Sequence, residues 1–123
     1  MAKRILVVDD APITRLMLKD ILVANGYDVV AEASDGVEAV EKFRQLRPDL
    51  MTMDIIMPNK DGLAALEEVL AIDKDAKVVM VTAIDQRDSL MKAIHLGATD
   101  YIVKPFEEER VVAAIINIFG GTK

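Results

Sequence analysis

The stretch Asp49-Leu50-Met51-Thr52-Met53-Asp54-Ile55-Ile56-Met57-Pro58-Asn59-Lys60-Asp61-Gly62 carries an apolar run of strand length into a carboxylate and then into a turn. A short apolar run bounded by turn signals reads as a strand buried on both faces, so Leu50, Met51 and Met53 mark a strand whose carboxyl end is Asp54. Met57-Pro58 stops its continuation, because proline lacks the donor N–H and disfavours helix at the residue before it. Asp61-Gly62 supplies turn chemistry, and Leu63 opens a helical pattern that runs to Ile72. The order is strand, acidic rim, turn, helix.

The same order recurs on either side. Ile5 to Val8 is a β-branched and leucine run that stops at Asp9-Asp10, with Pro12 placed for a first helical turn. From Ile13, the apolar residues Leu16, Met17, Ile21 and Leu22 recur at helical spacing until Asn25-Gly26, a C-terminal stop. Tyr27 to Ala33 reads as a second strand, Ser34-Asp35-Gly36 as a turn, and Val37, Val40, Phe43 and Leu46 as the inner face of a helix ending before Pro48. Lys77 to Val81 is the most strand-like run, ended by Thr82. A helix then starts at Asp85 with Leu90, Ala93 and Ile94 inward, and Gly97 closes it. Asp100 to Val103 makes a short strand before the loop Lys104-Pro105. Glu107 to Glu109 open the last helix, where acidic residues suit the helix dipole, and Gly120 to Lys123 reads as a frayed tail. Units of roughly 20 to 25 residues that alternate strand and helix force parallel strands, right-handed crossovers and helices on both faces. The fold class is α/β, a doubly wound five-stranded parallel sheet with five flanking helices.

At 123 residues the chain makes one domain, residues 1–123, with a single core. Apolar residues are 52% of the chain and aromatics only 4%, so aliphatics, Ala and the seven Met must fill that core. A net charge of −6 repels nucleic acid and anionic membrane surfaces. With no cysteine there are no disulfides, thiol nucleophiles or Cys-based metal sites. No uninterrupted apolar stretch reaches the ~18 residues of a membrane helix, and Met-Ala-Lys-Arg leads into a strand instead of a signal-peptide core, so a cytoplasmic chain without membrane insertion is expected.

In such sheets the ligand site lies beyond the carboxyl ends of the strands, at the switch point of strand order. Asp9 and Asp10 follow the first strand, Asp54 ends the third, Thr82 the fourth and Lys104 the fifth. Singly, these read as a helix cap pair, a turn residue and a solvated lysine. Together, crowded carboxylates call for a cation, and oxygen ligands without His or Cys point to Mg2+ or a similar hard ion. A hydroxyl and an ammonium at the same point suit a phosphoryl group received on an aspartate. His95, the single histidine, reads as an ordinary helix-face residue and not a phosphocarrier.

Over its whole length the sequence resembles the response-regulator receiver domains. Asp9-Asp10 matches the family's acidic pair, Asp54 its phospho-acceptor, and Met57-Pro58 to Asp61-Gly62 the loop after it. Thr82-Ala83 matches the switch hydroxyl with its small neighbour, Gly97 to Tyr101 the segment with the switch aromatic Tyr101, and Lys104-Pro105 the lysine followed by a cis-proline. The resemblance implies a flavodoxin-like sheet of order 2-1-3-4-5. It implies that Asp10, Asp54 and the backbone carbonyl of Ile56 bind Mg2+ directly with Asp9 acting through water, and that a histidine kinase is the phosphodonor. It further implies a monomer or weak dimer that contacts a downstream protein through helix four, strand five and helix five. Apolar positions of helix five span an arc of about 200°, against the roughly 100° needed for one sheet, and the surplus is expected to be contact surface. The resemblance is to the stand-alone, chemotaxis-type members, so a chain without an output domain after Phe119 is expected. The sequence departs from many members at Ile56 and Ile84, two residues after the acceptor and the switch Thr, where polar side chains would orient a hydrolytic water. A long-lived phosphate is expected there.

Two other classes are weaker. A haloacid-dehalogenase-type phosphatase carries its nucleophile in Asp-x-Asp after the first strand, whereas here the acids are adjacent and cap residues are missing. A receiver module of another phosphorelay remains the nearer alternative. A dinucleotide site lacks Gly-x-Gly-x-x-Gly, and Asp9-Asp10 would repel a pyrophosphate.

Overall fold

A computed structural model describes residues 2–120. Its elements are β1 (Arg4–Val8), α1 (Pro12–Ala24), β2 (Asp28–Ala33), α2 (Gly36–Leu46), β3 (Leu50–Met53), α3 (Gly62–Ile72), β4 (Val78–Ala83), α4 (Arg87–Leu96), β5 (Asp100–Lys104) and α5 (Glu108–Ile118), with a 3-10 turn at Ile84–Gln86. All strand pairs are parallel and the order is β2-β1-β3-β4-β5. The sequence places β1 first, yet it lies inside the sheet, so the chain winds outward from it in two directions and helices must cover both faces. Of the tail expected to fray, residues 121–123 lie outside the described residues.

Strand alternation divides the core in two. Leu6 and Val8 of β1, Met51 and Met53 of β3, and Val78 and Met80 of β4 face Phe43, Leu66, Val69 and Leu90 of α2, α3 and α4. Ile5 and Val7, Leu50, Val79 and Val81 face the other way, onto Leu18 and Leu22 of α1 and Val111 and Ile115 of α5. Both sides of the central strands are therefore desolvated, the reason their sequences read as continuous apolar runs. Truncating a fully buried residue such as Leu66 to Ala would cost about 3 kcal/mol.

Several boundaries differ from the sequence reading. Strand β4 runs on to Ala83, and the 3-10 turn delays α4 to Arg87, because the chain must turn at the top of the sheet before a helix can return across it. Lys104 is the last residue of β5, paired with Ala83, and not part of a loop. In α1 the inward residues are Leu18 and Leu22, while Leu16 and Met17 are about half exposed, as are Ile13 and Val23. In α2 and α4, Val37 and Ile94 likewise point outward, and Ala39 and Ala93 are buried. Helical spacing locates an apolar stripe, but small residues are what let a helix approach the sheet. Among the described residues no helix is long and apolar enough to cross a membrane.

Candidate functional site

The carboxyl ends of β1, β3, β4 and β5 meet at the top of the sheet. The amide of Asp9 donates to the Ala33 carbonyl at 3.0 Å, and that of Asp54 to the Val8 carbonyl at 3.1 Å, so both acids are held by the last rungs of the ladder. Asp9 is fully buried, Asp54 nearly so, and Asp10 exposed. Carboxylate oxygens of all three lie within 4.8 Å of one another. Lys104, at the end of β5, sends its Nζ to Asp9 Oδ2 at 2.8 Å and Asp54 Oδ2 at 2.9 Å. The peptide between Lys104 and Pro105 is cis.

Electrostatics at this point are unbalanced. Burial pushes the Asp9 carboxyl above its ordinary value, despite hydrogen bonds from Lys104 and from the Ala11 amide at 2.9 Å. Burial alone would lower Lys104, but its hydrogen bonds to Asp9 and Asp54 outweigh that and its pKa is raised. The two partners thus differ over their shared contact. The lysine gains two acceptors, whereas Asp9 gives up water on all sides for one ammonium and one amide, so Asp9 is the under-compensated member. Crowded carboxylates with a single ammonium fit a hard divalent cation. Asp9, Asp10 and Asp54 are the side chains that could hold such an ion.

Thr82 is buried to 1% exposure, and its hydroxyl has no hydrogen-bond partner among the described residues. A buried hydroxyl left without a partner costs about 1–3 kcal/mol, a cost that a new acceptor at the site would relieve. Ala83 beside it is exposed, so nothing bulky fills the approach. Tyr101 is 41% exposed on β5. Ile56 and Ile84 stand at the rim, exposed by 56% and 76%, while Ile55 and Met57 on either side of Ile56 are buried in the core. His95 lies elsewhere, with Leu63, Glu67, Met91, Lys92 and Leu96 around a groove of about 520 Å3 between α3 and α4.

Sequence reading missed the corner beside this site. Asp35 Oδ1 accepts from the Glu38 amide at 2.8 Å and caps α2, and Glu38 Oε1 accepts from the amide and hydroxyl of Ser34 at 2.7 and 3.0 Å. The available signal was Ser34-Asp35-Gly36-Val37-Glu38, in which Asp and Glu three residues apart have the capping-box spacing, with Glu38 returning to Ser34, one residue before the cap.

A sheet of this order thus carries at its switch point an acidic cluster, a lysine and a hydroxyl without a partner among the described residues. Residues 5–116 match the response regulator receiver domain, and the chain belongs to that family. It is 54% identical over 115 residues to the chemotaxis protein CheY of Bacillus subtilis, covering 94% of this chain and 96% of that one. It is 50% identical to CheY of Thermotoga maritima over the same shares. Among solved structures, the CheX-CheY-BeF3-Mg complex from Borrelia burgdorferi superposes with a TM-score of 0.91 at 32% identity, covering 95% of this chain and 89% of that one. The phosphatase alternative is not favoured by these likenesses.

Proposed function

We propose that this chain is a chemotaxis-type, cytoplasmic response regulator whose Asp54 takes a phosphoryl group from the phosphohistidine of a histidine kinase. The observation that carries the reading is the convergence of Asp9, Asp10 and Asp54 on one point beside Lys104 and the unpartnered Thr82 hydroxyl. One oxygen of Asp54 attacks phosphorus, the P–N bond breaks, and the imidazole leaves with its electron pair and takes up a proton. Asp10, Asp54 and the Ile56 carbonyl would hold Mg2+ directly, with Asp9 acting through water, and the ion would supply charge neutralisation at the phosphoryl oxygens. Lys104 keeps its ammonium at the acceptor and can follow the charge from the carboxylate to the new oxygens. Thr82 can donate its hydroxyl to one of them, and Ala83 leaves the space open. The domain promotes its own phosphorylation from the donor and its own dephosphorylation, in which water takes the phosphoryl group.

The readout is a protein contact on α4, β5 and α5. Tyr101 supplies an exposed aromatic there, free to move inward once Thr82 is drawn to the phosphoryl group. The apolar surplus of α5 is narrower than its arc suggests. Ile118 and Phe119 pack against the core, the Phe119 ring 6.3 Å from that of Tyr27, because α5 touches α1 as well as the sheet. Val112 and Ile116 are left to meet a partner.

Treatment with acetyl phosphate followed by mass spectrometry tests the proposal. Labelling of Asp54 is expected only with Mg2+ present. Labelling that persists without the metal, or at another residue, would overturn it.

A further inference from the structure

The loop from Asp54 to Gly62 is held at both ends by contacts that leave almost no room. The Gly62 amide donates to the Ile55 carbonyl at 2.7 Å, and a Cβ on Gly62 would fall 2.0 Å from the carbonyl oxygen of Asp54. At the far limb the Gly36 amide donates to the Lys60 carbonyl at 2.9 Å, and a Cβ on Gly36 would fall 2.3 Å from that oxygen. Beside it, Asn59 has φ 67, a left-handed conformation that Asn tolerates. Its Nδ2 donates to Asp35 Oδ2 at 2.7 Å, while Oδ1 of the same carboxylate caps α2. Lys60 also pairs with Glu68 of α3. The Ile56 carbonyl therefore lies between two anchors, the β3 ladder and the N-terminus of α2.

We infer that the grip of Asp35 on Asn59 positions the Ile56 carbonyl as a metal ligand, so that the capping corner of α2 sets the affinity for Mg2+. The inference rests on the proposed function. Asp35 and Asn59 touch neither the cation nor the phosphoryl group and act through the loop they hold. Partners that orient a ligand govern metal affinity, because a carbonyl free to wander must be ordered at each binding event. The Asp35 carboxyl lies below its ordinary value, first through the Glu38 amide and then through Asn59, which agrees with a carboxylate already committed to both contacts.

Two substitutions separate the grip from the cap. Asp35→Ser keeps a good N-cap for α2 but is too short to reach Asn59. Asn59→Gly keeps the left-handed backbone and removes the amide. Magnesium affinity of the full chain is measured by calorimetry, with thermal unfolding in metal-free buffer and amide exchange at Ile56 and Met57 alongside. Each variant is expected to weaken Mg2+ binding about fivefold and to speed exchange at Ile56, and the double variant to be no weaker than either single one. A purely structural contact would lower the melting temperature and leave the affinity within about twofold of the parent, which overturns the inference. Independent effects, multiplying to about 25-fold in the double variant, would overturn it too. If the parent protein binds no Mg2+ at all, the proposed function falls and the inference with it. If the parent binds normally and the variants match it, the inference alone falls.

Discussion

Asp9 and Asp35 stand just beyond the neighbouring strands β1 and β2, at the same end of the sheet, yet the fold pushes their carboxyls in opposite directions. Asp9 is raised, first by burial. Asp35 is lowered, first by the Glu38 amide and then by Asn59, and Glu38 is lowered by the amide and hydroxyl of Ser34. The corner is finished, since its donors are backbone amides and polar groups of the chain itself. The pocket is unfinished. Asp9 and Asp54 share one lysine, the Thr82 hydroxyl has no partner among the described residues, and on the proposed function a cation and a phosphoryl group would complete the site. What differs is the supply of donors, and that supply separates a structural carboxylate from one ready for chemistry.

The sharpest test of that difference is Asp54→Asn, which removes the acceptor oxygen while keeping the shape. Acetyl phosphate labelling should vanish, and residual labelling at unchanged yield would show the acceptor to lie elsewhere. Next in size, Lys104→Met should destabilise the metal-free protein by about 2 kcal/mol in denaturant titrations, because it leaves two largely buried carboxylates without their ammonium. Added Mg2+ should recover part of that loss. A fully neutral outcome would mean the pocket is better compensated than its geometry indicates.

Smaller again is the effect of the rim. Ile56 and Ile84 offer a hydrolytic water no hydrogen bond, so the double variant Ile56→Asn, Ile84→Glu should release phosphate about tenfold faster, roughly 1.4 kcal/mol of barrier. Equal rates in the two proteins would place the lifetime outside these residues. The smallest expected effect is on pH dependence, and here the two regions should part in sign. A raised folded pKa means that Asp9 favours the fold below about 3.8 and that this contribution is lost as pH rises through the folded value. Lowered values mean that Asp35 and Glu38 favour the fold above 3.8 and 4.5, and lose this as pH falls through their folded values. Stability curves of the parent minus Asp9→Asn, and of the parent minus Asp35→Ser, should slope in opposite directions across the acid range. Parallel slopes would dissolve the contrast between pocket and corner.

Much was determined by the sequence alone. Runs such as Ile5 to Val8 and Leu50 to Met53 are apolar at every position but one, and only strands covered on both faces need that, so the doubly wound sheet follows from them. The positions of Asp9, Asp10, Asp54, Thr82 and Lys104 at strand ends were legible for the same reason, because apolar runs stop where the sheet meets solvent. Tertiary structure decided what depends on contacts distant along the chain. Leu16 and Met17 share helical spacing with Ile21 and Leu22, but only the placement of α1 against β1 and β2 exposes the first pair. Ile118 and Phe119 look like surplus until α1 is packed beside α5. Asn59 and Asp35 are unremarkable in their own segments, and their hydrogen bond exists because β2 and β3 lie on either side of β1 and bring two loops together. Local pattern fixes which face of a strand or helix sheds water. Which groups then find one another is settled only when the sheet order closes the distance between them.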